Sequence, residues 1–428
     1  MKLLQITPGT GTFHCGGCLR DNWLVGELRQ RGHEVVVAPM YLPLVVDEPL
    51  EQKGPLFFGG INAYLQQKWA LFRHTPRWVD RLLDARWLLT AAARRAHMTT
   101  PQDHGAMALS MLRGKEGRQV KELERLTAWA AGQGPFAAVL LSNALLLGLA
   151  PALIERLGAP ILCSLQGEDL FLDRLPPPYR QGVWDMVAQH AAQVDHLIAP
   201  STYYAQMMAQ RLGLKQQRIT VVPDGIPLHG HEPATESPSP PTIGFLARMH
   251  PDKGLDILVE AFLMLCRTRP PAGPAATAHL CLVGACTDGD RRYVDGLKKQ
   301  LQAAGLARRV QFHPNVDRAR KLALLPQMSV LAVPVRYSEA FGLYVVEALA
   351  SGVPVVIPES GALPELVAAT GGGWMHRPGD AADLAAKLAW ALDHPQECRA
   401  AAQRGNKVVR ERYHAGAMAE GIARLVHE

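Results

Sequence analysis

Between Val330 and Ile357 the chain spells out one complete structural unit, and no other stretch limits the fold as much. The apolar run Val330 to Val335 has the length and composition of a buried strand, and so does Val353 to Ile357. Between them Leu343, Val346 and Ala350 are spaced for one face of a helix, which the Gly352-Val353-Pro354 step ends. Strand, loop, helix, strand is a βαβ unit of a parallel sheet.

Two carboxylates lie in this unit eight residues apart, Glu339 in the loop and Glu347 in the helix. Eight helical residues rise about 12 Å, too far for a shared proton or a single metal ion. The spacing suits two ends of an extended ligand, and equally a helix with two solvated acids. Phe341, Gly342 and Leu343 would present backbone N–H groups at the helix start, where an anionic ligand is favoured. The flanking residues weigh on the choice. Ser338-Glu339-Ala340-Phe341-Gly342-Leu343, with Glu347-Ala348-Leu349-Ala350-Ser351-Gly352-Val353-Pro354, closely resembles the donor-binding motif of retaining glycosyltransferases of the GT-B fold, family four.

A chain of 428 residues has room for two domains. A net charge of +6 is too small and too dispersed to argue for nucleic acid. No apolar run reaches eighteen residues, so no membrane-spanning helix is expected. Seven cysteines, an odd number, read as reduced thiols, and Met1 to Gly9 reads as a first strand and not a leader, so a cytoplasmic location is expected.

The N-terminal half starts as strand Leu3 to Ile6, a glycine-rich loop to Cys18, a helix to Gly32 and strand Glu34 to Ala38. The dinucleotide fingerprint fails, because His14 stands where a third glycine belongs and Pro39-Met40 where a ribose-binding acid would be. No nicotinamide or flavin cofactor is expected. Cys15-Gly16-Gly17-Cys18 at a helix start allows three readings: structural thiols, a redox pair, or part of a metal site. Residues 41–134 leave the βαβ pattern, with helical stretches Ile61 to Arg73, Pro76 to Arg95 and Pro101 to Ala131. From Lys68 to Arg118 there are ten Lys/Arg and four Asp/Glu, a surplus equal to the net charge of the whole chain. That region, with Trp69, Phe72, Trp78 and Trp87, reads either as a peripheral membrane contact at the inner face or as a helical subdomain with a solvated basic face. Strands resume at Ala137 to Leu141, Pro160 to Leu165, His196 to Pro200 (capped by Ser201) and Ile219 to Pro223.

Residues 228–241 form a proline-rich linker in which His229 and His231 are expected to be exposed. Strand Thr242 to Ala247 then leads to Arg248, Lys253 and Gly254, followed by a helix. This run resembles the phosphate-gripping motif of the same family. Further strands fall at Leu280 to Val283 and Val310 to Phe312.

The resemblance implies a GT-B architecture: two Rossmann-like domains facing each other across a cleft. Residues 1–227 would be the acceptor-side domain and 242–400 the nucleotide-sugar domain, with residues 401–428 as a helix returning to the first. It also implies a transferase that moves a sugar from a nucleotide sugar with retention and without a metal or other cofactor. A UDP-sugar would be the first-choice donor and a GDP-sugar the next, the acceptor being unidentified. Arg248, Lys253 and Glu339 would be catalytic. Gly16, Gly17, Gln166, Phe341, Gly342, Leu343 and Glu347 would bind the donor, and Glu168 and Asp169 would face the acceptor. Gln166 departs from the family's His, so no acid–base role passes to it. That departure favours a competing reading, a catalytically lapsed nucleotide-sugar-binding or scaffold protein. A thiol redox protein built on Cys15 and Cys18 is a third.

Overall fold

A computed structural model describes residues 1–8, 16–41, 55–73, 75, 101–233, 238–268 and 274–427. The chain divides into two compact units, Met1–Pro223 with Met418–Glu428, and Asp224–Ala417. Among the described residues each unit is built on a six-stranded parallel sheet.

The first sheet runs β1 (Lys2–Pro8), β2 (Glu34–Met40), β3 (Ala138–Leu141), β4 (Ile161–Ser164), β5 (His196–Ala199) and β6 (Ile219–Val221). Its spatial order is β2-β1-β3-β4-β5-β6, so the direction of winding reverses between β1 and β3. The strands are mostly apolar because helices cover both faces of such a sheet. Leu3, Leu4, Ile6, Ala138, Val139 and Ile161 are fully covered. Helix Thr202–Leu212 starts at Ser201, whose hydroxyl accepts the Tyr204 N–H at 3.0 Å, the cap expected from sequence.

The single helical stretch expected from Pro101 to Ala131 is instead helix Pro101–Leu112, a short turn at Gly114–Glu116 and helix Val120–Gly132. Gly114 has φ +56°, outside helical space, and a side chain on Gly117 would stand 2.0 Å from the Ser110 carbonyl. The helical periodicity is real, but these two glycines break it into two helices. The expected helix Pro76 to Arg95, with Trp78 and Trp87, lies outside the described residues.

The second sheet contains β7 (Thr242–Leu246), β8 (His279–Gly284), β9 (Val310–Pro314), β10 (Val330–Ala332), β11 (Val355–Pro358) and β12 (Gly373–His376). The order is β12-β11-β10-β7-β8-β9, the doubly wound pattern with its reversal between β7 and β10. Strand β10 is shorter than expected. Pro334 has no N–H for a ladder, and the Val335 N–H turns back to the Val333 carbonyl at 2.9 Å. Strand β12 is not legible from sequence, since Gly371 and Gly372 precede it, Gly373 opens it and the run hides the strand pattern. Helix Leu343–Ala350 is buried from Tyr344 to Ala350, on more than the one face that the periodicity suggests.

Candidate functional site

In a doubly wound sheet, ligands bind beyond the carboxyl ends of the strands where the winding reverses. In the second unit that point lies between β7 and β10. The loop after β7 carries Arg248 and Lys253, and the loop after β10 carries Tyr337, Glu339 and Phe341. Residues about 90 positions apart in the sequence therefore meet.

The two loops are tied together. After β7, the turn Pro251–Lys253 closes with Gly254 at φ +69°. The Arg336 N–H donates to the Asp252 carbonyl at 2.9 Å, and its guanidinium donates to the Pro251 carbonyl at 2.8 Å. The same guanidinium grips both Asp256 carboxylate oxygens at 2.7 Å, and the Tyr293 hydroxyl donates to Asp256 at 2.8 Å. Bidentate pairing of this kind fixes direction as well as charge.

Within this frame each cation has a carboxylate. Lys253 Nζ lies 2.6 Å from Glu339 Oε1, with the Tyr337 and Tyr344 rings at 4.8 and 5.7 Å. Burial pulls the Lys253 ammonium down, but Glu339 outweighs it and holds the pKa above the ordinary lysine value. Arg248 donates from Nε at 3.0 Å and from a terminal nitrogen at 3.1 Å to Asp290, which is 2% exposed. The Thr287 hydroxyl and N–H donate to the same carboxylate at 2.6 and 2.9 Å. Burial pushes the Asp290 carboxyl up, yet the Arg248 and Thr287 hydrogen bonds prevail and hold it below the usual aspartate value. The Arg248 side chain stays 42% exposed, so its remaining N–H groups face outward.

Glu347 sits in helix Leu343–Ala350 and pairs with Lys321 Nζ. That helix begins at Gly342, with φ +111° and no side-chain cap, so its first N–H groups meet no capping side chain. Phe341 is buried and Leu343 half-buried.

His231 lies beside this pair. The expectation that it is an exposed linker residue is wrong. It is 2% exposed, its ring bonds the Ser351 hydroxyl at 2.8 Å, and Arg410 donates to its carbonyl at 2.6 Å. Burial, opposed by Glu347 and reinforced by Lys321, Arg318 and Arg410, pushes its pKa down to about 4. The folded pKa lies below the ordinary 6.5, so His231 favours folding above pH 6.5 and loses that contribution as pH falls towards 4. From pH 7 to pH 5.5 the loss is about 1 kcal/mol. Urea unfolding at the two pH values is expected to show His231→Gln losing about 1 kcal/mol less than the wild type between them.

In the first unit, Gly16 and Gly17 open helix Gly16–Gln30, and a side chain on Gly17 would meet nothing within 4 Å. Among the described residues, packing therefore does not require a glycine at 17. Gln166 is half-buried after β4. Glu168, expected to face the acceptor, is 6% exposed. It accepts the Gln166 N–H and, at 2.9 Å, the Ala144 N–H. Its carboxylate braces the turns after β3 and β4. Burial raises its pKa against those hydrogen bonds. Asp169 is half-buried and accepts the Tyr204 hydroxyl at 2.7 Å. Cys18 is buried and its thiol donates to the Pro8 carbonyl at 2.8 Å, whereas Cys15 lies outside the described residues.

Sequence reasoning missed Asp290, Lys321, Tyr344 and Asp21. Asp21 is buried with Arg20 at 3.1 Å, accepts Thr7 at 2.7 Å and also accepts Ser142, at the β1/β3 reversal. None of these belongs to a motif with a fixed spacing, so only the three-dimensional arrangement reveals them. Among the described residues no cluster of three or more His, Cys, Asp or Glu side chains could hold a metal ion.

Comparison with known proteins gives the chain's family and fold. Residues 231–408 match the family model for glycosyl transferases group 1, and residues 111–229 match that for glycosyltransferase family 4. The D-inositol 3-phosphate glycosyltransferase of Nocardia farcinica is 30% identical over 209 residues, covering 47% of this chain and 45% of that protein. For that protein and several like it, the chain spans about half the relative's length. The protein of that name from Mycolicibacterium vanbaalenii is 27% identical over 81% of this chain and 83% of its own. Among solved structures, HepE of Anabaena with UDP and glucose superimposes over 100% of this chain and 99% of its own, with TM-score 0.67 and 20% identity. Sucrose-phosphate synthase of Thermosynechococcus elongatus does so over 100% and 98%, with TM-score 0.73 and 18% identity. At such identities the structures establish a shared fold.

Proposed function

Because the chain belongs to the group 1, family 4 glycosyltransferases, we propose that it transfers a sugar from a nucleotide-sugar donor to a hydroxyl acceptor. The observation that carries this reading is the convergence of Arg248, Lys253 and Glu339 where the second sheet reverses, with Glu347 on the adjoining helix.

Each residue takes a role its surroundings support. Arg248, oriented by Asp290, and Lys253 stabilise charge developing on the leaving diphosphate. The uncapped helix start at Gly342 to Leu343 adds N–H donors. Glu339 holds donor sugar hydroxyls and Glu347 the ribose hydroxyls. The bond between the anomeric carbon and the phosphate oxygen breaks, and the bond to the acceptor oxygen forms. The acceptor proton passes to the leaving phosphate, so configuration is retained without a protein nucleophile. The two cations supply the charge stabilisation a metal ion could give, and the reaction is therefore proposed to need no metal. UDP-sugars are the first donors to try, then GDP-sugars. The relatives' names make D-inositol 3-phosphate the first acceptor to try.

Contact with a membrane surface through residues 68–118 is a further part of the reading. Trp69 and Leu71 are 57% and 75% exposed. Lys115, however, pairs with Glu155 from outside this region, which offsets part of its basic surplus. Among the described residues no helix is long and apolar enough to cross a membrane.

The test is transfer from UDP- and GDP-sugars in excess chelator, with the product's anomeric configuration read by NMR. A retained product formed in chelator is the expected result. Inversion would remove the retaining mechanism, and loss of activity in chelator would remove metal independence. Donor binding with no turnover on any acceptor would favour a lapsed nucleotide-sugar-binding protein, the reading that Gln166 supports.

A further inference from the structure

We propose that Glu339 also drives release of the nucleoside diphosphate product, by recapturing Lys253 once the sugar has left. This rests on the donor site proposed above and concerns the same two residues. The ammonium expected to hold the diphosphate is closed onto a carboxylate at 2.6 Å. The two side chains are only 21% and 13% exposed, so water screens the pair weakly. The Tyr337 and Tyr344 rings beside Lys253 narrow its surroundings further.

Opening this pair has different consequences for donor and product. A nucleotide sugar offers a phosphate to Lys253 and hydroxyls to Glu339, so both partners are satisfied again. A nucleoside diphosphate offers only the phosphate. Glu339 is then left as a largely buried carboxylate without its cation, which is strongly unfavourable. Re-forming the Lys253–Glu339 pair is therefore coupled to product departure. Two other cation–carboxylate pairs, Arg248–Asp290 and Lys321–Glu347, differ. Asp290 holds one side of an exposed guanidinium that keeps further N–H groups for a phosphate, and Lys321 pairs with Glu347, which stands on the helix assigned to the ribose.

The test compares UDP, GDP and ADP with the matching nucleotide sugars by calorimetry on the full chain. Glu339→Gln is expected to bind whichever diphosphate the wild type binds about tenfold more tightly, the factor that corresponds to 1.4 kcal/mol. Affinity for the nucleotide sugar should not rise with it. Lys253→Met combined with Glu339→Gln should lose the gain. A merely structural role for Glu339 would weaken both ligands together. Unchanged or weaker diphosphate binding by Glu339→Gln overturns the proposal, and so does a gain that survives Lys253→Met. If Glu339→Gln melts without cooperativity, Glu339→Ala provides the same readout. Wild type that binds a diphosphate while Glu339→Gln shows no gain overturns this proposal alone. Wild type and variants that bind none of the three overturn the donor-site reading with it.

Discussion

Arg248→Ala is expected to lower turnover about 10²–10³-fold, the scale of losing one oriented donor to transition-state charge. The size follows from how the side chain is held. A free surface arginine spends much of its time away from any one geometry. Arg248 is fixed by two hydrogen bonds to a carboxylate that is 2% exposed and itself held by Thr287. Its direction is therefore set before the diphosphate arrives. Asp290→Asn keeps the shape but removes the charge, and is expected to lose about tenfold in turnover, of the order of one weakened charged hydrogen bond. Steady-state kinetics on both variants checks this. Unchanged turnover in Arg248→Ala would take Arg248 out of the mechanism.

Gly254→Ala is expected to have the largest effect on stability. Gly254 has φ +69°, and a Cβ there would stand 1.9 Å from the Pro334 carbonyl oxygen and 2.8 Å from its carbon. Both are backbone atoms of the loop after β10, which Arg336 ties to the same turn, so neither side can move freely. Left-handed strain and the clash together should destabilise the second unit by about 3 kcal/mol. For a domain of this size that lowers the melting temperature by roughly 6–12 °C. Donor affinity should fall with it, because Lys253 is the preceding residue. An unchanged calorimetric melting temperature would show that the turn and β10 are not locked together as described.

These two residues also show what the sequence makes legible. Arg248, Lys253, Gly254, Glu339 and Glu347 lie in two short motifs, and the apolar runs beside them mark parallel strands. That is enough to read two α/β domains, because strand length and helical spacing are local properties. The partners of these residues are not local. Asp290 meets Arg248 from 42 positions away, and Lys321 meets Glu347 from 26. Both look like ordinary surface charges in the sequence. The same holds for His231: its proline-rich setting suggests exposure, and only the fold reveals its partners Ser351 and Arg410. Glu168 carries a polar motif's signature but is committed to backbone N–H groups. Gly114 and Gly117 break a helix that the apolar pattern alone extends, since periodicity reports which face is buried and not where the chain turns.

The central claim is that a nucleotide sugar binds beyond β7 and β10, on Arg248 and Glu347. The most direct measurement is the melting temperature of the full chain with UDP, GDP, ADP and their sugars. A ligand that binds only the folded state at a hundredfold excess over its Kd adds about 2.7 kcal/mol. A rise of several degrees with one base, lost in both Arg248→Ala and Glu347→Ala, is the result predicted here. No rise with any nucleotide, or a rise that both variants retain, would contradict it.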